Sequence, residues 1–326
     1  MRRVWTVGLL VMGCMTPTGA GVISRQAYSF QADGAGQGWA QIVTDDFTLV
    51  TDLPQDQAHE AAQLVAQSLT GLRAFFARAP VVAKHRVQIF ALADSMEFER
   101  RFGRRIGGFA TTNTERATLV LSGPPDRWFV RDAVAYEGKD SVLQHELAHA
   151  VLRQYFPEQQ QWFAEGMAQF LETFRWVAPQ TARFGDPSLS AYRTYREFRS
   201  ISMNDVLGWR AYHQRETEVA GLYGLSWAFV HWAINRQPVL MGRYLALLAQ
   251  QGPMVAWQQT FAPMQGELDK DIFGYMKVGQ YQYREFTVPL ATPTPARFVA
   301  LTAAELDQLH LVFDALTATV KRSTEP

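Results

Sequence analysis

Two histidines and one glutamate stand close together in a chain that has only seven histidines. His145 and His149 are four residues apart, and Glu146 directly follows the first of them. On a helix, side chains four apart share one face, with their Cβ atoms about 5–6 Å apart. Two imidazole nitrogens can then reach one ion at about 2.0–2.1 Å, the zinc–nitrogen distance. Glu146 can take a proton from water at that ion and pass it to a leaving amine. The spacing therefore predicts a zinc site with its own general base.

The surrounding residues favour a helix in the right place. Apolar residues give the stretch 141–155 one side for burial, and Pro157 requires the helix to end before it. A catalytic zinc also needs a third protein ligand and one open position. A second helix, predicted over 162–176, carries the next candidates: Trp162-Phe163-Ala164-Glu165-Gly166.

Taken with the histidines, this second segment resembles the gluzincin metallopeptidases, specifically the peptidase MA-like bacterial proteins. The resemblance implies that Glu165 is the third ligand of a single Zn²⁺, and it extends over about residues 40–250. The glycine at position 166 has a physical explanation, because a residue without a side chain lets two helices approach closely. Gln169 stands where some relatives carry an acidic partner for a zinc histidine, and its amide can accept a bond from an imidazole N–H. Glu172, two turns after Glu165, is expected beside the ligands or at the surface.

The same resemblance implies a group that stabilises the oxyanion of the tetrahedral intermediate, drawn from a later helix. In the stretch 223–231, Tyr223, Trp227 and His231 share one helical face. Tyr223 is the first candidate and His231 the second. For Tyr223, a structural role in the core is as compatible with the sequence as a catalytic role, since tyrosines are often buried with the hydroxyl bonded elsewhere. For His231, a structural role in the core is favoured.

Hydrophobic periodicity predicts an α+β protein. We expect a small mixed sheet with helices in the N-terminal half and a mostly helical C-terminal half, and the resemblance implies a zincin-like fold. It also implies that an edge strand at 107–112 borders the cleft, where a substrate backbone could pair with it. The other predicted strands are 47–51, 86–92, 117–121 and a short piece within 280–288; the other predicted helices are 57–78, 95–102, 222–236, 239–249 and one that begins at Thr302.

The beginning of the chain resembles a bacterial lipoprotein signal. Two arginines precede a short apolar run, and Val11-Met12-Gly13 then leads to Cys14, the one cysteine of the chain. We therefore expect segment 1–14 to be a signal peptide ending at a lipidated Cys14, and 15–38 to be a flexible tether. We expect an α/β part at 39–137, a helical catalytic part with the zinc motif at 138–288, and a Pro-rich connection with a C-terminal helix at 289–326.

Composition limits the partners. Lys and Arg (31) balance Asp and Glu (31), so no excess of positive charge draws the chain to nucleic acid. The expected partners are a peptide or protein substrate and, through the lipid, the periplasmic face of a Gram-negative membrane, with the outer membrane preferred. Two other functions stay open: a non-catalytic zincin-fold lipoprotein that binds peptides or acts as a scaffold, and an amidase of cell-wall peptides. Glu146 favours hydrolysis over binding alone, because binding does not need its carboxylate.

Overall fold

The computed structural model describes residues 28–30, 38–77, 79, 81, 85–103, 107–112, 117–128, 141–209, 216–279 and 281–322. The predicted signal segment with Cys14, and all of the predicted tether except 28–30 and residue 38, lie outside the described residues. Among the helices that are described, none combines the length and the apolar character needed to span a bilayer.

The described elements mix strands and helices along the chain, which confirms the α+β class. The strands are β1 (Tyr28–Phe30), β2 (Ala40–Val43), β3 (Phe47–Thr51), β4 (Val87–Leu92), β5 (Gly108–Thr112), β6 (Ala117–Ser122), β7 (Arg175–Ala178), β8 (Thr181–Phe184), β9 (Arg284–Thr287), β10 (Thr294–Ala296) and β11 (Phe298–Ala300). The α-helices are α1 (Gln55–Phe75), α2 (Ser95–Phe102), α3 (Val142–Tyr155), α4 (Gln161–Leu171), α5 (Leu189–Glu197), α6 (Met203–Leu207), α7 (Glu216–Arg236), α8 (Pro238–Gln258), α9 (Leu268–Val278) and α10 (Ala303–Arg322).

A six-stranded mixed sheet carries the N-terminal half, in the order β11-β2-β3-β4-β6-β5. Strands β3, β4 and β6 run parallel, and β5 returns antiparallel to β6. Neighbouring side chains face opposite sides, as at Leu49–Val50, Ile89–Phe90 and Leu119–Val120. The first residue of each pair packs in the core with α1 and α3, and the second packs with α2 and α10. The sheet is therefore covered by helices on both faces.

Helix α3 lies on the first face, next to β5. Its start is fixed by Ser141, whose hydroxyl oxygen accepts a hydrogen bond from the backbone N–H of Gln144 at 3.2 Å. Gly108 lets β5 come close, because a Cβ there would lie 3.2 Å from Val142 and 2.8 Å from the carbonyl oxygen of Val120. Among the described strands β5 ends the order of the sheet, which agrees with the predicted edge strand.

In the described part of the helical half, two predicted helices have different ends, and three further helices are present. The helix predicted over 162–176 ends at Leu171, and the chain then forms the hairpin β7–β8, to which β9 adds a third strand. The helix predicted over 239–249 continues to Gln258, with a kink at Gly252, whose φ is +81°. Helices α5, α6 and α9 were not predicted.

The C-terminal segment returns to the N-terminal sheet. Strand β11 pairs with β2, and α10 packs its buried side chains against α2 and the second sheet face. The predicted start of α10 is confirmed: the Thr302 N–H donates to Glu305 at 2.8 Å, and the Glu305 N–H donates to the Thr302 hydroxyl at 3.3 Å. Strand β11 and helix α10 therefore form part of the first sheet and of the packing on its second face.

Candidate metal centre

Three potential ligand atoms converge where α3 meets α4. The Nε2 atoms of His145 and His149 are 3.2 Å apart. Glu165 Oε2 lies 3.5 Å from the first nitrogen and 3.3 Å from the second. These three residues form a group that could hold a metal ion. The spacing of the two histidines predicted their part of it, and the gluzincin resemblance implied Glu165.

The two helices supply different surroundings for the ligands. Both histidine side chains keep some exposure, 19% for His145 and 17% for His149. Glu165 is buried, with 6% of its surface exposed. The ligand atom from α4 is therefore buried, whereas the two histidines of α3 are partly exposed.

Gly166, next to the buried ligand, allows α4 to lie directly against α7. A Cβ at this position would stand 2.5 Å from the carbonyl oxygen of Ser226 and 2.8 Å from Val230. Neither α4 nor α7 could keep its present position with a larger residue there. The predicted reason for the glycine, close approach of two helices, is confirmed, and the partner helix is α7.

We expect Gly166→Ala to lower the free energy of unfolding by about 1–3 kcal/mol, the usual cost of overpacking a filled interior. Gly274→Ala is the matched control, since it also lies within a helix but a Cβ there meets nothing within 4 Å. The control should be neutral or stabilising by up to about 1 kcal/mol, because alanine favours helix over glycine. Urea denaturation of both variants checks this, and equal effects would contradict the packing argument.

The partner of His145 is Glu172 and not Gln169. Glu172 Oε2 lies 2.7 Å from His145 Nδ1, and the carboxylate is buried at 8% exposure. An ionised carboxylate only accepts, so Nδ1–H donates to it, and Nε2 is the ring nitrogen on the side of the other ligand atoms. Gln169, predicted for this role, has a buried Oε1 without a hydrogen-bond partner in the described part of the chain. Glu172 is seven residues, two helical turns, after Glu165, and this spacing brings it back to the same face.

The acidic and basic side chains of the group shift one another's pKa values because they lie close together. Burial alone would raise the pKa of Glu165, but the two neighbouring imidazoles outweigh it and lower the pKa to about 2. Burial alone would lower the pKa of His145, but its contacts with Glu165 and Glu172 hold that pKa well above the ordinary value. Glu165 is therefore a carboxylate at neutral pH, the form that binds a cation.

Gln161 is a neighbour of the site that sequence reasoning missed. Its amide nitrogen donates at 2.8 Å to Oε1 of Glu165, whereas Oε2 is the oxygen that lies close to the histidines. The available signal was the spacing of four residues on one helix, at which Gln and an acidic residue meet.

The two candidates for oxyanion stabilisation differ in their surroundings. His231 is fully buried: Nδ1 lies 2.8 Å from the Tyr275 hydroxyl, and Nε2 lies 3.2 Å from the Gly185 carbonyl. Burial lowers the pKa of His231 to about 4, so it is neutral at ordinary pH. The structure thus gives His231 a packing role. Tyr223 is half-buried, with its ring 5.1 Å from that of Trp209, and its catalytic role stays a prediction.

Glu146, the predicted general base, is half-buried on α3 beside the first histidine. Its role as the base stays a prediction.

Comparison with known proteins adds no identification. No protein-family model matches this chain, and no curated protein matches it either. The gluzincin resemblance therefore stays a prediction that rests on the residues quoted for it.

Proposed function

We propose that this protein is a zinc-dependent hydrolase of peptide bonds, a metallopeptidase of the gluzincin type. The observation that supports it most is the set of separations among the three ligand atoms: 3.2, 3.3 and 3.5 Å. Two atoms bound to one zinc at about 2.0–2.1 Å, with a tetrahedral angle between them, lie about 3.3–3.4 Å apart. The observed separations agree with those expected for three ligand atoms of one tetrahedral zinc ion, which supports the proposal.

The donor set and its surroundings fit this ion. Two imidazoles and one carboxylate suit zinc. Glu165 Oε2 is buried and has no hydrogen-bond partner in the described chain, as expected of an oxygen that binds a cation. Bound zinc supplies Lewis acidity, which makes water a nucleophile at neutral pH.

The residues of the chain have separate tasks in this proposal. His145, His149 and Glu165 hold the ion, and Glu172 fixes the orientation of His145. Glu146 takes the proton from water and delivers it to the leaving amine. Tyr223 is the proposed oxyanion stabiliser.

The position of β5 supports an extended peptide as the substrate. It is the last strand of the described sheet on the side of α3, so its outer backbone groups have no strand partner in the described chain. An extended segment can add to such an edge through main-chain hydrogen bonds. We further propose that lipidation of Cys14 holds the enzyme at the cell envelope; this rests on the sequence alone.

The first test is the metal content of the purified full-length protein, measured by elemental mass spectrometry. We expect about one zinc per chain in the parent protein and none after His145→Ala with His149→Ala, because one carboxylate cannot hold the ion alone. His310→Ala removes an exposed histidine of α10 and should leave the zinc in place.

A parent protein that takes up no zinc after reconstitution would overturn the proposal. Zinc bound without cleavage of any peptide or cell-wall substrate would favour the non-catalytic alternative. Cleavage confined to cell-wall peptides would narrow the proposal to the amidase alternative.

A further inference from the structure

The two oxygens of the Glu165 carboxylate have different surroundings. Oε2 faces the two histidines and has no hydrogen-bond partner among the described residues. Oε1 receives a hydrogen bond of 2.8 Å from the amide nitrogen of Gln161. A carboxylate can bind a metal through one oxygen or through both, and this difference favours Oε2 as the binding oxygen.

Gln161 is placed for this contact by the helix itself. It is the first residue of α4, four residues before Glu165, and side chains at this spacing lie one above the other. The length of 2.8 Å is typical of a hydrogen bond from N–H to an ionised acceptor. The preceding Gln160 is engaged differently, since its amide oxygen accepts from the indole N–H of Trp162 at 2.8 Å. Of the two glutamines, Gln161 is thus the one directed at the metal centre.

The hydrogen bond also limits what the carboxylate can do. With Oε1 held by a donor, rotation of the carboxylate to offer both oxygens would break a bond at a buried site. Breaking it would leave a polar group without a partner, which is costly. A catalytic zinc needs three protein ligand atoms and one open position, and a carboxylate binding through both oxygens would crowd that position.

We propose that Gln161 is a positioning residue that holds Glu165 to a single ligand oxygen, Oε2. This rests on the proposed zinc site, and it adds a side chain that no part of the motif indicates. The role requires an N–H donor at this position. An apolar side chain of the same length should therefore not replace it.

The test compares the parent protein with Gln161→Met and Gln161→Leu, which remove the donor and keep a side chain of similar length or volume. Zinc affinity is measured by competition with a chelator, and Co²⁺ is used as a spectroscopic probe of the site. We expect zinc to bind about 10–100-fold more weakly in both variants, the usual effect of losing a hydrogen bond to a ligand. Without the donor, Oε1 of Glu165 is free to bind as well and can raise the number of ligands above four. We therefore also expect bound Co²⁺ to absorb visible light more weakly, because the absorption falls when Co²⁺ has more than four ligands.

Gln258→Met is the matched control, since it changes an exposed glutamine at the end of α8. It should leave the zinc affinity and the Co²⁺ spectrum unchanged. The melting temperature of each metal-free protein shows whether a variant has lost its fold, and we expect little change in all three.

If both Gln161 variants bind zinc as tightly as the parent protein and leave the Co²⁺ spectrum unchanged, the positioning role is wrong, while the proposed zinc site stands. A loss of affinity matched by a loss of metal-free stability, with the Co²⁺ spectrum unchanged, would also overturn it and assign Gln161 to folding. A parent protein that binds no zinc would overturn the proposed function, and this inference with it.

Discussion

Replacement of Glu146 by glutamine should lower the rate of peptide cleavage by about 10²–10⁴-fold, the contribution of a general acid–base group. Glutamine has nearly the same shape and size but cannot take up the proton from water. His145, His149 and Glu165 remain in place, so the variant should still contain about one zinc per chain. The measurements are the cleavage of quenched fluorescent peptides and the metal content of the same preparation.

Glu158→Gln is the matched control for this variant. It makes the same chemical change at an exposed glutamate that is not part of the metal-binding group. It should cleave at the rate of the parent protein. Parental activity of Glu146→Gln would remove Glu146 as the base, and loss of zinc from it would mean that this carboxylate helps to hold the ion.

The sequence could predict the pair of histidines in the group that could hold a metal ion, because their relation depends only on one helix. A spacing of four on one helix fixes the relation of His145 to His149 without knowledge of the rest of the fold. The resemblance then pointed to Glu165, and the structure brings it to within 3.5 Å of both histidines. The glycine beside it was also interpretable, since close helix packing is a common reason for a glycine within a helix.

The residues that orient the ligands were harder to predict. Glu172 follows the end of α4, and its contact with His145 depends on how α3 and α4 cross. Spacing alone left it equally compatible with the surface. Gln169 had the expected spacing from Glu165 but makes no such contact, because the crossing of the two helices brings Glu172, three residues after Gln169, to His145 instead. Gln161 could be named only once the direction of each carboxylate oxygen was known.

One feature of the fold was predicted wrongly although a local signal was present, and another was not predicted because its signal is not local. The helix predicted over 162–176 ends early because Phe174 stacks on Phe184, with ring centroids 5.0 Å apart, and so draws the chain into a hairpin. Alternating apolar residues and the turn at Pro179–Gln180 were the missed signal. The return of β11 and α10 to the first sheet joins residues more than 200 positions apart, and no local pattern indicates such a pairing.

The contribution of helix α10 to the free energy of unfolding can be measured at Phe313, which is 1% exposed. Its ring lies 5.3 Å from that of Phe90 and 5.5 Å from that of Trp39, and the guanidinium of Arg101 stands 5.4 Å from its centre. Phe313→Ala leaves a cavity in this cluster, so we expect the free energy of unfolding to fall by about 3–5 kcal/mol. Urea denaturation followed by tryptophan fluorescence is the measurement.

Leu311→Ala controls for changes in helix α10 itself, because Leu311 lies two residues away on the same helix and is 60% exposed. Its effect should stay within about 0.5 kcal/mol, as is usual at the surface. Since α10 covers the sheet face opposite to α3, folded Phe313→Ala protein should still bind one zinc. Equal stability of the two variants would mean that α10 adds little to the sheet, and loss of zinc from the folded variant would show that this distant face supports the metal centre.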